Sequence, residues 1–334
     1  MKKLFLIIVI SIQVFSCEDI KRSYTVVNSF PIDIELIATP APEFDVNIGL
    51  YSIGEADKYI IVGKRKQDYF FTIFDRFHNK VGEICHRGDG PDDFLAPIYL
   101  NQYETIDGET KIWVLERMKR LFVLINIDKT IKEGKLVIDK QYNLANIGGM
   151  EVRNLFYIND NLLIGSTDYD ECKVLFYNPN DGKMILQDNL LDFPEDVSEI
   201  LSQNCMALKP DKTAFVSIFY SMPEIDIYKV SGDRYSTVFY KERLEPKMII
   251  EKDPEIDGNY FSWSYATDNY FYVLSTDLKG EDTYDYYVLV FDWAGKPVAR
   301  WKVPAADSFF VDEQAHKIYT VYYDRDGDNV MICN

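Results

Sequence analysis

A strand-and-turn unit that recurs about every fifty residues is the feature that most constrains the fold of this chain of 334 residues. Each unit has a short polar turn, most often with Gly, Asn or Asp, followed by an apolar run of strand length. These residues tolerate the backbone angles of tight hairpins. The six runs begin at Tyr59, Ile112, Leu162, Ala214, Phe271 and Ile318. Six hairpins at a near-constant spacing predict a repeat architecture.

Each period also holds further candidate strands on both sides of the hairpin. A first strand precedes the polar turn, as in Asn204–Leu208 and Phe261–Ala266, and an outer strand ends the period, as in Pro297–Val303. Four short strands in a period of this length are typical of one propeller blade. The sequence therefore predicts an all-β fold, a six-bladed β-propeller with four antiparallel strands per blade.

The sixth period ends at Asn334 after its third strand, so its blade lacks a fourth. The run Ile32–Ile37 belongs to no blade and alternates apolar and polar residues with period two. We expect this N-terminal strand to close the last blade and to hide the sheet edges. Residues 31–334 then form a single propeller domain.

The first seventeen residues predict where the protein goes. Lys2 and Lys3 precede the apolar run Leu4–Phe15, which is too short to span a bilayer. The run ends in Val14-Phe15-Ser16-Cys17, which resembles a bacterial lipobox. We expect residues 1–16 to be a lipoprotein signal peptide, Cys17 to receive lipid and residues 17–30 to be a tether. A buried helix and an ordinary secretory leader are the alternatives.

The segment between the first and second periods, Gly82–Pro97, contains a recognisable pattern. Its Gly88-Asp89-Gly90-Pro91-Asp92-Asp93-Phe94-Leu95-Ala96-Pro97 resembles the Gly-x-Gly-Pro-x-x-Phe-x-x-Pro connection of lipoproteins in the TolB-like six-bladed propeller family, relatives of the NHL-type propellers. The resemblance implies a funnel-shaped ring that is exported and often lipid-anchored, in a family whose members mostly lack a known activity. The location implied is the cell envelope of a Gram-negative-type bacterium, at the periplasmic or surface face of the outer membrane.

This segment joins an outer strand to the next first strand, so it must cross the ring face toward the channel. Gly88 and Gly90 permit unusual backbone angles there, and Phe94 is expected to fill the gap between two blades. The polar residues that the segment could present at the channel mouth as a ligand site are His86, Arg87, Asp89, Asp92 and Asp93. In the structural alternative, Arg87 pairs with an acid or with turn carbonyls and holds the segment, and catalysis by His86 is a third interpretation.

Aromatic residues are abundant, with 24 Tyr, 21 Phe and 4 Trp. Most are expected to pack within and between blades, because aromatic side chains suit strands. Trp263 and Tyr265 lie on a candidate first strand and are two positions apart, so both point to one side. They are further candidates for ligand binding, since aromatic rings at a channel mouth can stack on sugars.

Charge and motifs exclude several classes of function. The formal net charge of −18 and the lack of a Lys/Arg-rich stripe argue against a nucleic-acid partner. We expect no cofactor and no metal: the three histidines lie far apart, and the calcium-loop-like Asp324–Asn329 is better explained as a hairpin turn. No phosphate loop or nucleophile elbow is present.

Four cysteines remain after Cys17, and spacing leaves their pairing open: Cys85, Cys172, Cys205 and Cys333.

Two functions remain. The first is a lipid-anchored, non-catalytic binding or scaffold module that holds a protein, peptide or glycan at the channel mouth. The second is an envelope hydrolase or lyase that acts on a polysaccharide at the same mouth. The few and scattered histidines favour the binding module, because metal-dependent catalysis in a propeller needs several ligands on its first strands.

Overall fold

The protein forms six antiparallel sheets arranged as the blades of a propeller. The computed structural model describes residues 23–44, 49–65, 67–145, 147, 151–168, 174–187, 203–243, 260–280, 283–322 and 329–334. The predicted all-β class and the count of six four-stranded blades are confirmed. The predicted signal peptide, Cys17, Cys172 and most of Asp324–Asn329 lie outside the described residues.

The strands follow one another around the ring in chain order. Ahead of the blades come β1 (Ser23–Val27), β2 (Ile32–Glu35) and β3 (Ala38–Pro40). Blade 1 contains β4 (Leu50–Ala56), β5 (Tyr59–Lys64), β6 (Tyr69–Asp75) and β7 (Lys80–His86). Blade 2 contains β8 (Pro97–Ile106), β9 (Glu109–Glu116), β10 (Leu121–Asn126), the helix α1 (Ile127–Glu133) and β11 (Ile138–Asn143). Blade 3 contains β12 (Glu151–Asn159), β13 (Leu162–Asp168), β14 (Val174–Tyr177) and β15 (Met184–Gln187).

The second half of the ring repeats this plan. Blade 4 contains β16 (Asn204–Leu208), β17 (Ala214–Phe219), β18 (Glu224–Lys229) and β19 (Arg234–Tyr240). Blade 5 contains β20 (Phe261–Ala266), β21 (Tyr270–Gly280), β22 (Thr283–Asp292) and β23 (Pro297–Val303). Blade 6 contains β24 (Ser308–Asp312), β25 (Lys317–Tyr322) and β26 (Asn329–Cys333). The predicted bounds of β16, β20 and β23 agree with the observed ones.

The ring closes through the first strand of each blade. These six strands contact one another in the order β4, β8, β12, β16, β20 and β24, and β24 returns to β4. They therefore surround a central channel, and residues along each of them run from one mouth of the channel to the other.

Burial follows from the position of a strand in its blade. All six residues of β17 are buried, because this second strand is packed on both faces by neighbouring blades. In the outer strand β11, partly buried and exposed residues alternate. Phe94 is buried in a cluster with Phe71 of blade 1 and Val114 of blade 2, so its predicted place between two blades is confirmed.

An N-terminal strand closes the last blade, but the strand differs from the one expected. The closing strand is β3, antiparallel to β26, with Thr39 opposite Ile332. The run predicted for this role, Ile32–Ile37, instead begins with β2, which lies parallel to β23 on blade 5. Alternation with period two identifies a strand, but it does not say which sheet edge the strand joins. Only the end of that run reaches blade 6, where Ile37 and Asn334 exchange backbone hydrogen bonds of 3.2 and 3.1 Å.

Another strand of the N-terminal segment lies within the range assigned to the tether. β1 pairs in parallel with β19, the outer strand of blade 4, so the described part of residues 17–30 belongs partly to the ring. The three strands β1, β2 and β3 thus cross the outer edges of blades 4, 5 and 6 in turn. We refer to Ser23–Pro40 as the strap.

The helix α1 has no counterpart in the strand-only prediction. Asn126 caps it by accepting the N–H of Lys129 at 3.0 Å, and Gly134 ends it with a left-handed φ of 66°. Asn at the start of a helix and Gly at its end are common capping residues, so the sequence contains signals for both ends of α1. Within the described parts of the chain, no helix has the length and apolar character needed to cross a membrane.

Candidate functional site

The described residues outline two cavities of similar size in the channel, one toward each end. The mouth cavity, of about 970 Å³, lies where the first strands begin and is lined by residues such as Ser52, Arg153 and Trp263. The rear cavity, of about 990 Å³, lies where the first strands end and is lined by residues such as Glu55 and Tyr265. Both volumes are within the range of small-ligand sites.

A bulge in β8 lies between the two cavities. Leu100 and Asn101 line both of them, and the pairing of β8 with β9 shifts register here. The Gln102 amide donates to the carbonyl of Tyr157 at 2.6 Å and accepts its N–H at 2.8 Å, which fixes the bulge to blade 3. A Cβ on Gly54 would lie 1.9 Å from Asn101 Oδ1, so a larger residue at position 54 would have to displace the Asn101 side chain.

Four arginines line the mouth cavity. Arg65 and Arg117 follow the second strands of blades 1 and 2, Arg87 lies in the connection between these blades, and Arg153 lies on β12. Among the described lining residues, Asp307 is the sole acid. Among the described lining residues, positive charge therefore exceeds negative charge, in a chain whose formal net charge is −18.

Three of these arginines lie over aromatic rings. A guanidinium over a ring face is held by the ring quadrupole, while its N–H groups point outward in its own plane. The distances from the guanidinium carbon to the ring centre are 3.9 Å for Arg87 and Phe70, 4.8 Å for Arg153 and Tyr220, and 5.5 Å for Arg65 and Tyr51.

Arg87 also holds its segment in place. Its Nη2 donates to the carbonyl of Arg65 at 2.6 Å and its Nε donates to the carbonyl of Gln67 at 3.2 Å. These contacts agree with the structural alternative given above, in which Arg87 pairs with turn carbonyls and holds the segment. The Arg117 guanidinium lies 3.3 Å from Glu151, whose side chain is 56% exposed, so water screens this pair.

Asp93 organises the connecting segment between blades 1 and 2. Its carboxylate lies 2.8 Å from His86 Nδ1 and accepts the N–H of Gly90 at 3.0 Å, and these two contacts lower the pKa of Asp93. A Cβ on Gly88 would lie 2.4 Å from the same carboxylate. Neither glycine has a positive φ, so the expectation of unusual backbone angles is wrong; a Cβ at either position would have to displace the Asp93 carboxylate. Lys119 adds hydrogen bonds of 2.6 Å to two carbonyls of the segment.

Glu116 holds part of the wall of the mouth cavity in place, and the sequence analysis missed it. It is fully buried at the end of β9, and its carboxylate accepts the backbone N–H groups of Leu95 and Ala96, each at 3.0 Å. A third N–H, that of Met118, donates to it at 3.1 Å. A buried charge with several donors fixes both the connecting segment and the turn that carries Arg117.

The predicted site residues separate into groups. Arg87 and Trp263 line the mouth cavity, whereas Tyr265 lines the rear cavity. Asp89 and Asp92 are exposed and are not among the cavity-lining residues, and the half-exposed His86 contacts Asp93. Only two of the seven therefore line the mouth cavity, and ligand binding by any of them remains a prediction.

Several of the charged residues that line the rear cavity pair with one another. Arg76 forms ion pairs with Glu55 at 2.7 Å and with Asp312 at 3.3 Å. The Tyr265 hydroxyl donates to Glu55 at 2.5 Å. These contacts link blades 1, 5 and 6, so we interpret the rear charges as a connection between blades.

The mouth cavity contains a thiol and a phenol whose pKa values are raised. Burial raises the pKa of the Cys205 thiol to about 11, and burial also raises the pKa of Tyr51. Both are therefore protonated at neutral pH. Across the described residues, no group of three or more His, Cys, Asp or Glu side chains is placed to hold a metal ion. Cys85, Cys205 and Cys333 are buried and unpaired.

The fold and the cavity define a six-bladed β-propeller with a ligand-sized, arginine-lined mouth. Two solved structures share this fold. A member of the DUF4221 family from Bacteroides vulgatus ATCC 8482 matches with a TM-score of 0.58 and 14% identity, over 90% of this chain and 97% of that one. A protein of Bacteroides fragilis NCTC 9343, named for its predicted export, matches with a TM-score of 0.54 and 8% identity, over 92% and 99%.

At such identities the likeness concerns the fold alone. No protein-family model and no curated protein matches the sequence. The resemblance of Gly82–Pro97 to TolB-like and NHL-type propellers remains a prediction.

Proposed function

We propose that this protein is an exported, non-catalytic binding module that holds its ligand in the mouth cavity. The observation that carries the proposal is the convergence of Arg65, Arg87, Arg117 and Arg153 on a cavity of about 970 Å³. Three of these side chains are already positioned by aromatic rings, and a site with prepositioned donors loses less entropy when a ligand binds. The ligand is a glycan, a peptide or a protein segment.

We also propose that the protein is located in the cell envelope of a Gram-negative-type bacterium. The lipobox-like end of the leader supports lipid attachment at Cys17 and an outer-membrane location. The Bacteroides fragilis protein with the same fold is named for predicted export, which agrees with this location. Lipid would leave the ring close to its membrane, because only five residues separate Cys17 from β1.

The protonated thiol and phenol in the mouth cavity support binding without chemistry, because a nucleophile or base at neutral pH needs the ionised form. The second candidate, a hydrolase or lyase for polysaccharides, would shorten the glycan that it binds. Length analysis of a bound glycan after incubation therefore separates the two functions.

The test uses the full-length protein, purified in detergent, on an array of glycans and peptides. Ser262 lines the mouth cavity, and Ser262→Trp should block it and abolish binding. Ser231→Trp, a matched change at an exposed turn of blade 4, should bind as the parent does. Binding that survives Ser262→Trp, or an array with no ligand of any class, would overturn the proposal, and a shortened glycan would establish the enzyme instead.

A further inference from the structure

We propose that the ligand of the mouth cavity is a peptide segment of a partner protein, whose apolar side chains pack on the rim of the cavity and whose acidic side chain pairs with Arg65. This inference rests on the proposed binding function and chooses one of the ligand classes given there. It starts from two exposed apolar side chains at the rim, Leu95 and Met118, whose exposed fractions are 37% and 68%.

Leu95 and Met118 belong to two loops that meet at Glu116. The N–H of Leu95 donates to Glu116 Oε2 at 3.0 Å, and the N–H of Met118 donates to Oε1 of the same carboxylate at 3.1 Å. Because one carboxylate binds both backbones, the two side chains form a single apolar patch. We refer to Leu95 and Met118 as the rim patch.

Further hydrogen bonds hold the two loops of the rim patch together. The N–H of Arg117 donates to the carbonyl of Ala96 at 3.3 Å, and Lys119 Nζ donates to the carbonyls of Gly90 and Asp93, each at 2.6 Å. Surface loops are usually more mobile than the strands they connect. Here the backbone of the patch is fixed before a ligand arrives, so binding loses less entropy. Rigid apolar contacts of this kind are typical of protein-binding sites.

The rim patch continues into the mouth cavity. Leu95 lines this cavity, as do Ile98 and Leu100 of β8. Trp263 adds an indole ring from blade 5, whose Nε1 donates to a backbone carbonyl at 3.2 Å. A peptide that crosses the rim can therefore pack one apolar side chain on Leu95 and Met118 and bury another inside the cavity.

Arg65 complements an acidic side chain of the same peptide. Its side chain is exposed, and its guanidinium carbon lies 5.5 Å from the centre of the Tyr51 ring. A guanidinium held over a ring directs its N–H groups outward, where they match the two oxygens of a carboxylate. Arg87 already donates to turn carbonyls and Arg117 pairs with Glu151, so one acidic group is sufficient.

The polar groups of the cavity favour a peptide over a sugar. A sugar carries many hydroxyl groups and needs a partner for each one that it buries. Among the described lining residues, the two amide side chains are engaged or covered. Asn154 Nδ2 donates to Ser166 at 2.7 Å, and Asn101 Oδ1 is buried against Gly54. Aliphatic side chains such as Leu95 offer a sugar hydroxyl no partner.

The experiment selects peptides from a random phage-displayed library on the full-length protein. Peptides of about ten residues reach about 33 Å when extended, enough to cross the rim and enter the cavity. Peptides that also bind Ser262→Trp, in which the cavity is blocked, are discarded. We expect the others to be enriched in Leu, Ile, Met or Phe together with Asp or Glu. In a synthetic copy of a selected peptide, serine in place of one apolar residue should weaken binding about tenfold.

Two variants test the rim patch. Leu95→Ser and Met118→Ser keep the backbone N–H groups that bind Glu116, and each should weaken binding of the selected peptide about fivefold or more. Thermal unfolding checks that both variants are folded. Ile185→Ser makes the matched change at a side chain that is 54% exposed on the outer strand of blade 3, and should bind as the parent does.

A charge variant tests the acidic side chain. Arg65→Gln should weaken binding of the selected peptide about three- to fivefold, the effect of losing one exposed ion pair. It should not change binding of the same peptide with its acid replaced by the corresponding amide.

The outcomes separate the inference from the function beneath it. A selection without enrichment of apolar residues, or full affinity in both serine variants, would overturn the peptide assignment. An oligosaccharide on the glycan array that binds the parent but not Ser262→Trp, while no peptide is selected, would also overturn it and leave the binding function intact. Absence of both peptide and glycan ligands would overturn both proposals.

Discussion

The guanidinium carbon of Arg87 lies 3.9 Å from the centre of the Phe70 ring. Because the same guanidinium donates to the carbonyls of Gln67 and Arg65, it ties the connection between blades 1 and 2 to the turn after β5. One residue thus contributes charge to the mouth cavity and also maintains the shape of its wall.

Replacement of Arg87 by lysine should therefore destabilise the ring. Arg87→Lys keeps the charge but loses the planar fork and its stacking on Phe70, at a cost of about 1 to 3 kcal/mol in free energy of unfolding. Urea denaturation measures the loss. Arg65→Lys, at an exposed side chain that lies over the ring of Tyr51, should change stability by less than about 0.5 kcal/mol. Equal losses in the two variants would contradict the anchoring role.

Stability should also depend on pH through a buried acid pair in blade 4. Glu224 and Asp226 have side-chain exposures of 5% and 1%, and both approach Arg234, at 3.8 and 2.8 Å. Burial, and then the nearby charge of Asp226, raise the pKa of Glu224 to about 8. The folded state therefore holds a proton that the unfolded chain releases near its ordinary pKa of 4.5.

By linkage, the stability that comes from protonated Glu224 is fully present below the pKa that Glu224 has in the unfolded chain. It is lost as pH rises through about 8. Glu224→Gln mimics the protonated acid, so at pH 8 it should be more stable than the parent by roughly 2 to 4 kcal/mol, with little difference at pH 4.5. Denaturation at both pH values measures this. A difference that does not grow with pH would show that Glu224 is ionised in the fold.

Ring closure should depend on β3 and less on the rest of the strap. A chain that begins at Ile37 keeps the pairing of β3 with β26 and should remain a monomeric ring of reduced stability. A chain that begins at Ala41 leaves the edge of β26 open and should aggregate. Size-exclusion chromatography and thermal unfolding distinguish the two. If the shorter chain remains monomeric with the Tm of the longer one, β3 is not the closure.

Attachment to the membrane should depend on Cys17 alone. Cys17→Ser removes the thiol that we expect to be lipidated, so the variant should leave the membrane fraction. Its thermal unfolding should match that of the parent, because β1 begins only at Ser23. Recovery of Cys17→Ser with membranes would refute the lipobox interpretation.

The fold was largely predictable because propeller strands are encoded locally. Turn residues and apolar runs give the first strands Asn204–Leu208 and Phe261–Ala266 with their observed bounds. The partner of an edge strand is not encoded in this way. All four residues of Ile32–Glu35 are exposed, so no buried face of that strand directs it to blade 6 or to blade 5.

The site was only partly predictable. Sequence analysis found Arg87 and Trp263, because one lies in a recognisable segment and the other on a first strand. It missed Arg65 and Arg117, which are far apart in sequence and line the same cavity because blades 1 and 2 pack side by side. A repeat-aligned comparison could have found them, since each directly follows the second strand of its blade, as Tyr220 does in blade 4.

The strap has a mechanical consequence for a protein held at its N-terminus. A pull that arrives at Ser23 loads the pairing of β1 with blade 4 first and the pairing of β2 with blade 5 next. The closing strand β3 bears load only after both have yielded. Tension at the N-terminus is thus dissipated on the periphery of two sheets, and the lining of the channel stays undistorted until the outer contacts fail.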